Sequence, residues 1–161
     1  WESRDLPRAE WTPAGPSSYE LLYRSGAGLT PRPLRRIASG GELSRVMLAS
    51  KVVLGNADGV DTLVFDEVDA GVGGSTARAL AGVLADLAAT HQVIVVTHLA
   101  QVAVMADKHY VVSKEPGDVP QTHLDEVAGE ARTAEIARML SGDQSEASLA
   151  HAKQMLEEVR G

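Results

Sequence analysis

The chain has 161 residues, no cysteine and a formal net charge of −7 at pH 7, with 44% hydrophobic and 23% charged residues. These values are typical of one globular domain with a sizeable core, and they exclude collagen-like, low-complexity and wholly disordered chains. The lack of cysteine excludes disulfide frameworks, thiolate metal sites and cysteine nucleophiles. The acidic balance argues against a surface-wide electrostatic contact with nucleic acid.

The first residues, WESRDLPRAEW, are charged and resemble neither a signal peptide nor a natural start, so we interpret the chain as a piece of a longer protein. Its longest mostly apolar stretch, residues 93–106, is too short to cross a bilayer, and no membrane partner is expected. Because nothing points to an oxidising compartment, we expect a cytoplasmic protein.

Residues 1–32 are predicted to form an irregular lead-in. Prolines and glycines interrupt this region, it shows no sustained periodicity, and a candidate short strand covers residues 19–23. A sustained helical pattern begins at residue 43 and ends near residue 55. The apolar residues that this pattern places along one face are Leu43, Val46, Met47, Val53 and Leu54.

The turn before this helix has two interpretations. Ser39 and Glu42 have the spacing of a capping box, which would stabilise the helix start. A cap does not explain Gly40 and Gly41, because each glycine costs a helix about 1 kcal/mol relative to alanine. Backbone N–H groups at a helix start with no Cβ atoms beside them suit a phosphate, so a phosphate site and a plain helix cap both remain open.

Two short apolar runs, residues 62–65 and 92–96, predict buried strands. A glycine turn and an amphipathic helix lie between them, which together make a right-handed parallel crossover. A further strand is predicted at 110–112, turns with one weak strand at 117–129, and two helices around Ile136 and Leu156. The predicted fold class is α/β, with a mainly parallel sheet flanked by helices.

Polar residues follow both buried strands, Asp66 and Glu67 after the first and Thr97 and His98 after the second. Ligands of open α/β sheets bind at the carboxyl ends of the strands, so we expect these side chains to converge. Two adjacent acids after an apolar strand suit a magnesium-bound nucleotide. The first carboxylate would hold the metal or its waters and the second would deprotonate an attacking water. Acids of a solvent-exposed turn remain the alternative for this pair.

His98 is the histidine predicted to contact a phosphate, because it follows a strand beside the acids. The other histidines lack metal-ligand spacing, so a transition-metal site is not expected. A hydrogen-bonded turn residue is the alternative for His98.

Three segments in this order resemble one family. IASGGELSR resembles the signature motif of ABC-type ATPases in the form used by their SMC-like branch, TLVFDEVDAGVGG resembles the Walker B strand and D-loop, and VVTHLAQVAVMAD resembles the switch-histidine segment. With EIARMLSG and SLAHAKQMLEE downstream, the resemblance covers residues 33–158. Ala100 departs from the pattern, since proline is expected there, and this loosens the turn without removing the histidine.

The resemblance implies that residues 33–161 are the C-terminal lobe of an ATPase head. The full-length protein would be an ATP-hydrolysing SMC-like protein of DNA double-strand break repair and recombination. Its heads would dimerise around ATP, with Ser39, Gly40, Gly41 and Glu42 binding in trans the γ-phosphate held by a second copy. ATP and Mg²⁺ are the implied cofactors, and DNA contacts would place the protein on the nucleoid.

The resemblance also implies roles for the residues after the two strands. Asp66 would help to hold Mg²⁺, Glu67 would act as general base and His98 would touch the γ-phosphate. Asp69 would lie in the D-loop that crosses the dimer interface.

No phosphate loop of the form G-x-x-x-x-G-K-[ST] occurs in the sequence, and the glycine cluster GVGGST that begins at Gly71 has no lysine. We therefore expect the segment alone to be inactive. In the family, an N-terminal lobe carries this loop and is joined through a long coiled coil, so that lobe is an expected partner.

Other interpretations stay open. A transporter nucleotide-binding subunit or a lobe of another ABC-type or SMC-type ATPase would share the Walker B strand and the histidine. A dinucleotide-binding module would need glycine at position 76, where Thr76 stands. A purely structural or interaction domain would leave the three anion-suited segments unexplained.

Overall fold

The computed structural model describes residues 1–37, 39–115 and 121–160, and only the backbone of Asn56, Asp58 and Arg160. Within these ranges the strands are β1 (Glu2–Asp5), β2 (Ser17–Glu20), β3 (Leu22–Tyr23), β4 (Arg32–Pro33), β5 (Thr62–Phe65), β6 (Gln92–Val95), β7 (His109–Glu115) and β8 (Gln121–Val127). The α-helices are α1 (Gly40–Leu54), α2 (Gly74–Ala88), α3 (Ala100–Ala103), α4 (Gly129–Ser141) and α5 (Glu146–Arg160).

The described strands form four two-stranded sheets, and only β5–β6 is parallel. The α/β class is confirmed, but the expectation of a mainly parallel sheet is wrong. Short connections join β1 to β2, β3 to β4 and β7 to β8, and such connections return the chain antiparallel. A parallel pair needs a long crossover, which α2 supplies only between β5 and β6.

The β7–β8 hairpin extends beyond the predicted strand at 110–112. Its seven residue pairs run from His109↔Val127 to Glu115↔Gln121. The weak strand predicted within 117–129 is β8, while residues 117–120 of that prediction lie outside the described residues.

The N-terminal region holds more regular structure than the predicted lead-in with one candidate strand. β1 pairs with β2, and the Trp1 and Tyr19 rings are 5.8 Å apart at its end. β3 pairs with β4, and this pair joins residues on both sides of the predicted division at residue 32. The division itself stays a prediction.

Helix α1 forms as predicted but buries a different face. Leu48 is 4% exposed, whereas Val53 is 85% exposed and Leu43 and Met47 are about half exposed. The buried side contains Gly41, which faces the turn after β5, and Leu48, which belongs to the same core cluster as Leu63 and Phe65 of β5. The prediction failed because it counted apolar residues and did not anticipate glycine at the packing face.

The β5–α2–β6 unit contains the first core. The parallel register runs from Thr62↔Gln92 to Phe65↔Val95, and α2 covers one face of the pair. The strands are not buried on both faces as predicted, since Val64 is 65% and Ile94 47% exposed. The buried residues of this core are Leu48, Leu63, Phe65, Val68, Leu80, Ala81, Leu84, Leu87 and Val102.

A second core lies between α3, α4 and α5, which confirms the two predicted closing helices. Its buried residues are Ala100, Ala103, Val104, Ile136, Ala137, Ala152 and Leu156. Among the described residues, no helix combines the length and the apolar character needed to cross a membrane.

Candidate functional site

The start of helix α1 is capped by Ser39. Its extended backbone precedes Gly40, and its Oγ accepts a hydrogen bond from the Glu42 backbone N–H at 3.5 Å. Glu42 lies in the first turn, where a carboxylate suits the positive end of the helix dipole. The Ser39 half of the predicted capping box is therefore present.

Two further side chains of α1 hold this helix start against the turn that follows β5. Ser44 Oγ donates to the Asp66 carbonyl at 2.6 Å. Arg45 Nη1 donates to the carbonyls of Val68 and Ala70, at 3.1 and 2.8 Å. Sequence reasoning missed Ser44 and Arg45. Their spacing could have identified them, because Ser44 and Arg45 follow Gly40 and Gly41 by four residues and so lie on the same side of the helix.

Gly40 and Gly41 have an intrachain explanation that the sequence did not reveal. A Cβ on Gly41 would lie 2.7 Å from the Ala70 Cβ and 2.8 Å from the Glu67 carbonyl oxygen. A Cβ on Gly40 would collide with the Glu67 carboxylate. The lack of side chains thus permits the helix to approach the turn, independently of any phosphate.

The turn begins with the two predicted acids. The side chains of Asp66 and Glu67 are both exposed, whereas Val68 and Asp69 behind them are buried. Glu67 has φ of 55°, a left-handed conformation that no other described non-glycine residue adopts. Such backbone conformations cost about 1–3 kcal/mol and cluster at functional sites.

The metal prediction concerns Asp66. No group of three or more histidine, aspartate or glutamate residues in the described ranges is arranged to hold a metal ion. Mg²⁺ often takes only one or two protein carboxylates and completes its shell with waters and phosphate oxygens. An exposed single carboxylate at a strand end fits that mode of binding.

Asp69 connects the two strand ends. It is 2% exposed, and its Oδ2 accepts hydrogen bonds from Thr97 Oγ1 at 2.5 Å and from the His98 backbone N–H at 3.1 Å. The same oxygen lies 3.1 Å from His98 Nδ1, while the His98 side chain is 70% exposed. Leu99 N–H donates to Thr97 Oγ1 at 3.0 Å.

The predicted residues therefore gather in two linked contacts at the carboxyl ends of β5 and β6. Gly40 meets Glu67 in one contact, and His98 meets Asp69 in the other. The shifted pKa values belong to other elements. Burial lowers the pKa of His109 on β7, and hydrogen bonds led by that from Ser148 lower the pKa of Asp143, between α4 and α5, to about 2.

Comparison with known proteins adds sequence relatives. The DNA repair protein RecN of Treponema pallidum is 52% identical over 146 residues, covering 89% of this chain and 26% of that protein. RecN of Deinococcus radiodurans is 51% identical over 149 residues, covering 92% and 26%. RecN of Streptomyces coelicolor is 48% identical over 150 residues, covering 92% and 26%. Over about nine tenths of its length, the chain is similar to one segment of these RecN proteins.

The chain spans about a quarter of the length of these RecN relatives. No protein-family model matches it. A solved structure from work on ATP-driven dimerization and DNA-stimulated activation of SMC ATPases is 20% identical and covers 99% of this chain and 81% of its own. Its TM-score is 0.49.

Proposed function

We propose that residues 33–161 are the C-terminal lobe of an ATPase head in a RecN-type, SMC-like DNA repair protein. The observation that carries this proposal is the contact between the α1 start and the Asp66–Glu67 turn. It brings a helix N-terminus with bare backbone N–H groups beside two exposed carboxylates. The similarity to RecN proteins supports the same conclusion.

Asp66 and Glu67 would have different roles at the nucleotide. Asp66 would hold Mg²⁺, which supplies electrostatic stabilisation of the phosphates when bound. Glu67 is exposed and follows directly in the chain, so its carboxylate would orient a water and take its proton during attack on the γ-phosphorus. His98 would touch the γ-phosphate through the exposed part of its ring.

Ser39, Gly40, Gly41 and Glu42 would bind the γ-phosphate of ATP held by a second copy of the head. Hydrolysis would then release the two heads, and this cycle suits the tethering of DNA ends in recombination. The loop that contains Asp69 would cross the interface, while its buried carboxylate points into its own chain. The full-length protein would act in the cytoplasm, on nucleoid DNA.

An uncovered apolar face supports the proposal of a second lobe within the same head. Val64 and Ile94 are exposed on the side of the β5–β6 pair that α2 does not cover, and Leu43 and Met47 of α1 line a groove beside Val64. Exposed contiguous apolar surface marks an interaction site. The lobe that carries the phosphate loop is the proposed occupant, because about three quarters of a RecN protein lies outside a segment of this size.

Glu67→Gln in the full-length protein tests the proposal. The amide can still hydrogen-bond a water but cannot take its proton, so we expect ATP binding to persist and hydrolysis to fall by about 100-fold or more. ATP-dependent head dimers should accumulate. The control is Asp86→Asn, which removes an exposed carboxylate on α2 and should leave hydrolysis unchanged. A decrease of less than about tenfold in Glu67→Gln would show that Glu67 is not the base.

A further inference from the structure

Asp69 is a buried carboxylate whose partners come from a single neighbouring segment. Burying a carboxylate is costly unless hydrogen bonds compensate for the lost water. Here one oxygen, Oδ2, accepts from the Thr97 hydroxyl and the His98 backbone N–H and also lies 3.1 Å from His98 Nδ1. Two of these three contacts involve His98.

The charge of Asp69 favours one tautomer of His98. An ionised carboxylate only accepts hydrogen bonds, and at 3.1 Å its negative oxygen repels the lone pair of an unprotonated Nδ1, so the contact favours hydrogen on Nδ1. In the neutral ring, Nε2 then has a free lone pair. Since the side chain is 70% exposed, that nitrogen belongs to the part of the ring that solvent or a ligand can reach.

The backbone of His98 is fixed by the same carboxylate. The His98 N–H donates to Oδ2, and Thr97 links that oxygen to the Leu99 N–H through its hydroxyl. Asp69 thus holds the His98 backbone by a hydrogen bond and places a negative oxygen 3.1 Å from the ring Nδ1, which favours this orientation of the imidazole. If Asp69 served only as a contact between subunits, its carboxylate would not need to be buried within its own chain.

We propose that Asp69 is a positioning residue for His98, which holds the Nδ1–H tautomer and presents Nε2 to the nucleotide site. What Nε2 touches rests on the proposed function: a γ-phosphate oxygen or the attacking water. The neutral Nε2 lone pair accepts a hydrogen bond from the attacking water. Contact with a γ-phosphate oxygen, itself an acceptor, requires a proton on Nε2, which the ring takes from solvent. In both cases the carboxylate orients the ring, as in hydrolase triads in which an aspartate orients a histidine.

The tautomer can be measured without nucleotide. The full-length protein is labelled with ¹⁵N-histidine, sedimented and studied by magic-angle-spinning NMR at mildly alkaline pH, with His98→Gln identifying the His98 signals. We expect a protonated Nδ1 and an unprotonated Nε2 in the wild type. Asp69→Asn keeps the side-chain shape but removes the charge, and should give a mixture of tautomers. Thr97→Val removes one donor without touching the ring and should keep the wild-type pattern.

Hydrolysis then measures the consequence. Asp69→Asn should lower kcat for ATP by about 10–100-fold, with KM nearly unchanged; this is the range for loss of the hydrogen-bond partner of a metal-ligating histidine, which is oriented in the same way. An Nε2–H tautomer in the wild type would overturn the proposal, and so would wild-type tautomers in Asp69→Asn. The wild-type spectrum alone shows which tautomer His98 adopts, so the proposal can be tested even if Asp69→Asn fails to fold. A fixed Nδ1–H tautomer in a protein that hydrolyses no ATP would support the positioning and contradict the proposed function.

Discussion

Gly40 and the Glu67 carboxylate lie so close that no side chain fits at position 40 without displacing that carboxylate. A negative group at the start of α1 is favourable, because the helix dipole is positive there. The helix start proposed to bind a phosphate from a second copy thus already adjoins the proposed base of its own chain. Mutations of the two glycines can separate packing from phosphate binding.

Gly41→Ala should destabilise the fold more than Gly40→Ala. The new Cβ at position 41 would meet the Glu67 backbone oxygen at 2.8 Å and the Ala70 Cβ at 2.7 Å, neither of which can turn aside. Overpacking of this kind costs about 1–3 kcal/mol. At position 40 the obstacle is the end of an exposed, flexible side chain, so we expect little change. Urea unfolding of both variants measures the difference, and equal midpoints would contradict the packing explanation.

Gly40→Ala should therefore be the better probe of phosphate binding in trans. In the full-length protein we expect near-normal ATP binding, little hydrolysis and no ATP-driven head dimer, since the methyl group blocks close approach at the helix start. If the new methyl group acted only by displacing Glu67, hydrolysis would also fall, but ATP-dependent head dimers should persist, as in Glu67→Gln. Light scattering in the presence of ATP detects these dimers and so distinguishes the two explanations. Normal ATP hydrolysis in Gly40→Ala would show that residues 39–42 only cap the helix and do not bind a phosphate.

The 161-residue chain alone should not bind ATP appreciably. It has no loop and lysine of the kind that cradle the β- and γ-phosphates. Calorimetric titration with ATP and Mg²⁺ should give no measurable heat of binding, whereas the full-length protein should bind. Micromolar affinity in the isolated chain would show that the nucleotide site does not depend on a second lobe.

Arg132 should stabilise the second core through its hydrogen bonds. Its Nη2 donates to the carbonyls of Ala103, Val104 and Ala106, at the end of α3. Arg132→Met keeps much of the length but leaves these acceptors without the guanidinium, which should cost about 2–3 kcal/mol. Lys153→Met is the control, because this exposed residue of α5 should change the free energy of unfolding by no more than about 0.5 kcal/mol. Similar losses in both variants would contradict this role.

Asp143 should titrate with a pKa of about 2, below its ordinary value of 3.8. The Ser148 hydroxyl is the largest cause, followed by the backbone and side chain of Ser145. Because the folded pKa is depressed, this stabilisation is fully present above pH 3.8 and is lost as the pH falls through about 2. Carboxyl ¹³C NMR gives the midpoint. Ser148→Ala should raise it, and an unchanged midpoint would assign the shift elsewhere.

The local elements, and the chemistry available at their ends, follow from the amino-acid sequence alone. Helical spacing gave α1, an apolar run gave β5, and the polar residues after the strands identified Asp66, Glu67 and His98 as candidates. These features depend on residues close together in the chain, so periodicity and motif spacing suffice to predict them.

Contacts between distant residues required the tertiary structure. The buried face of α1 was mispredicted because glycine packing depends on how closely another segment approaches, which hydrophobic spacing does not encode. The D-loop prediction for Asp69 did not include its intrachain partners, which lie 28 and 29 residues further along the chain. A buried carboxylate binds whichever donors the fold brings within reach, and only the parallel pairing of β5 with β6 brings Thr97 and His98 there.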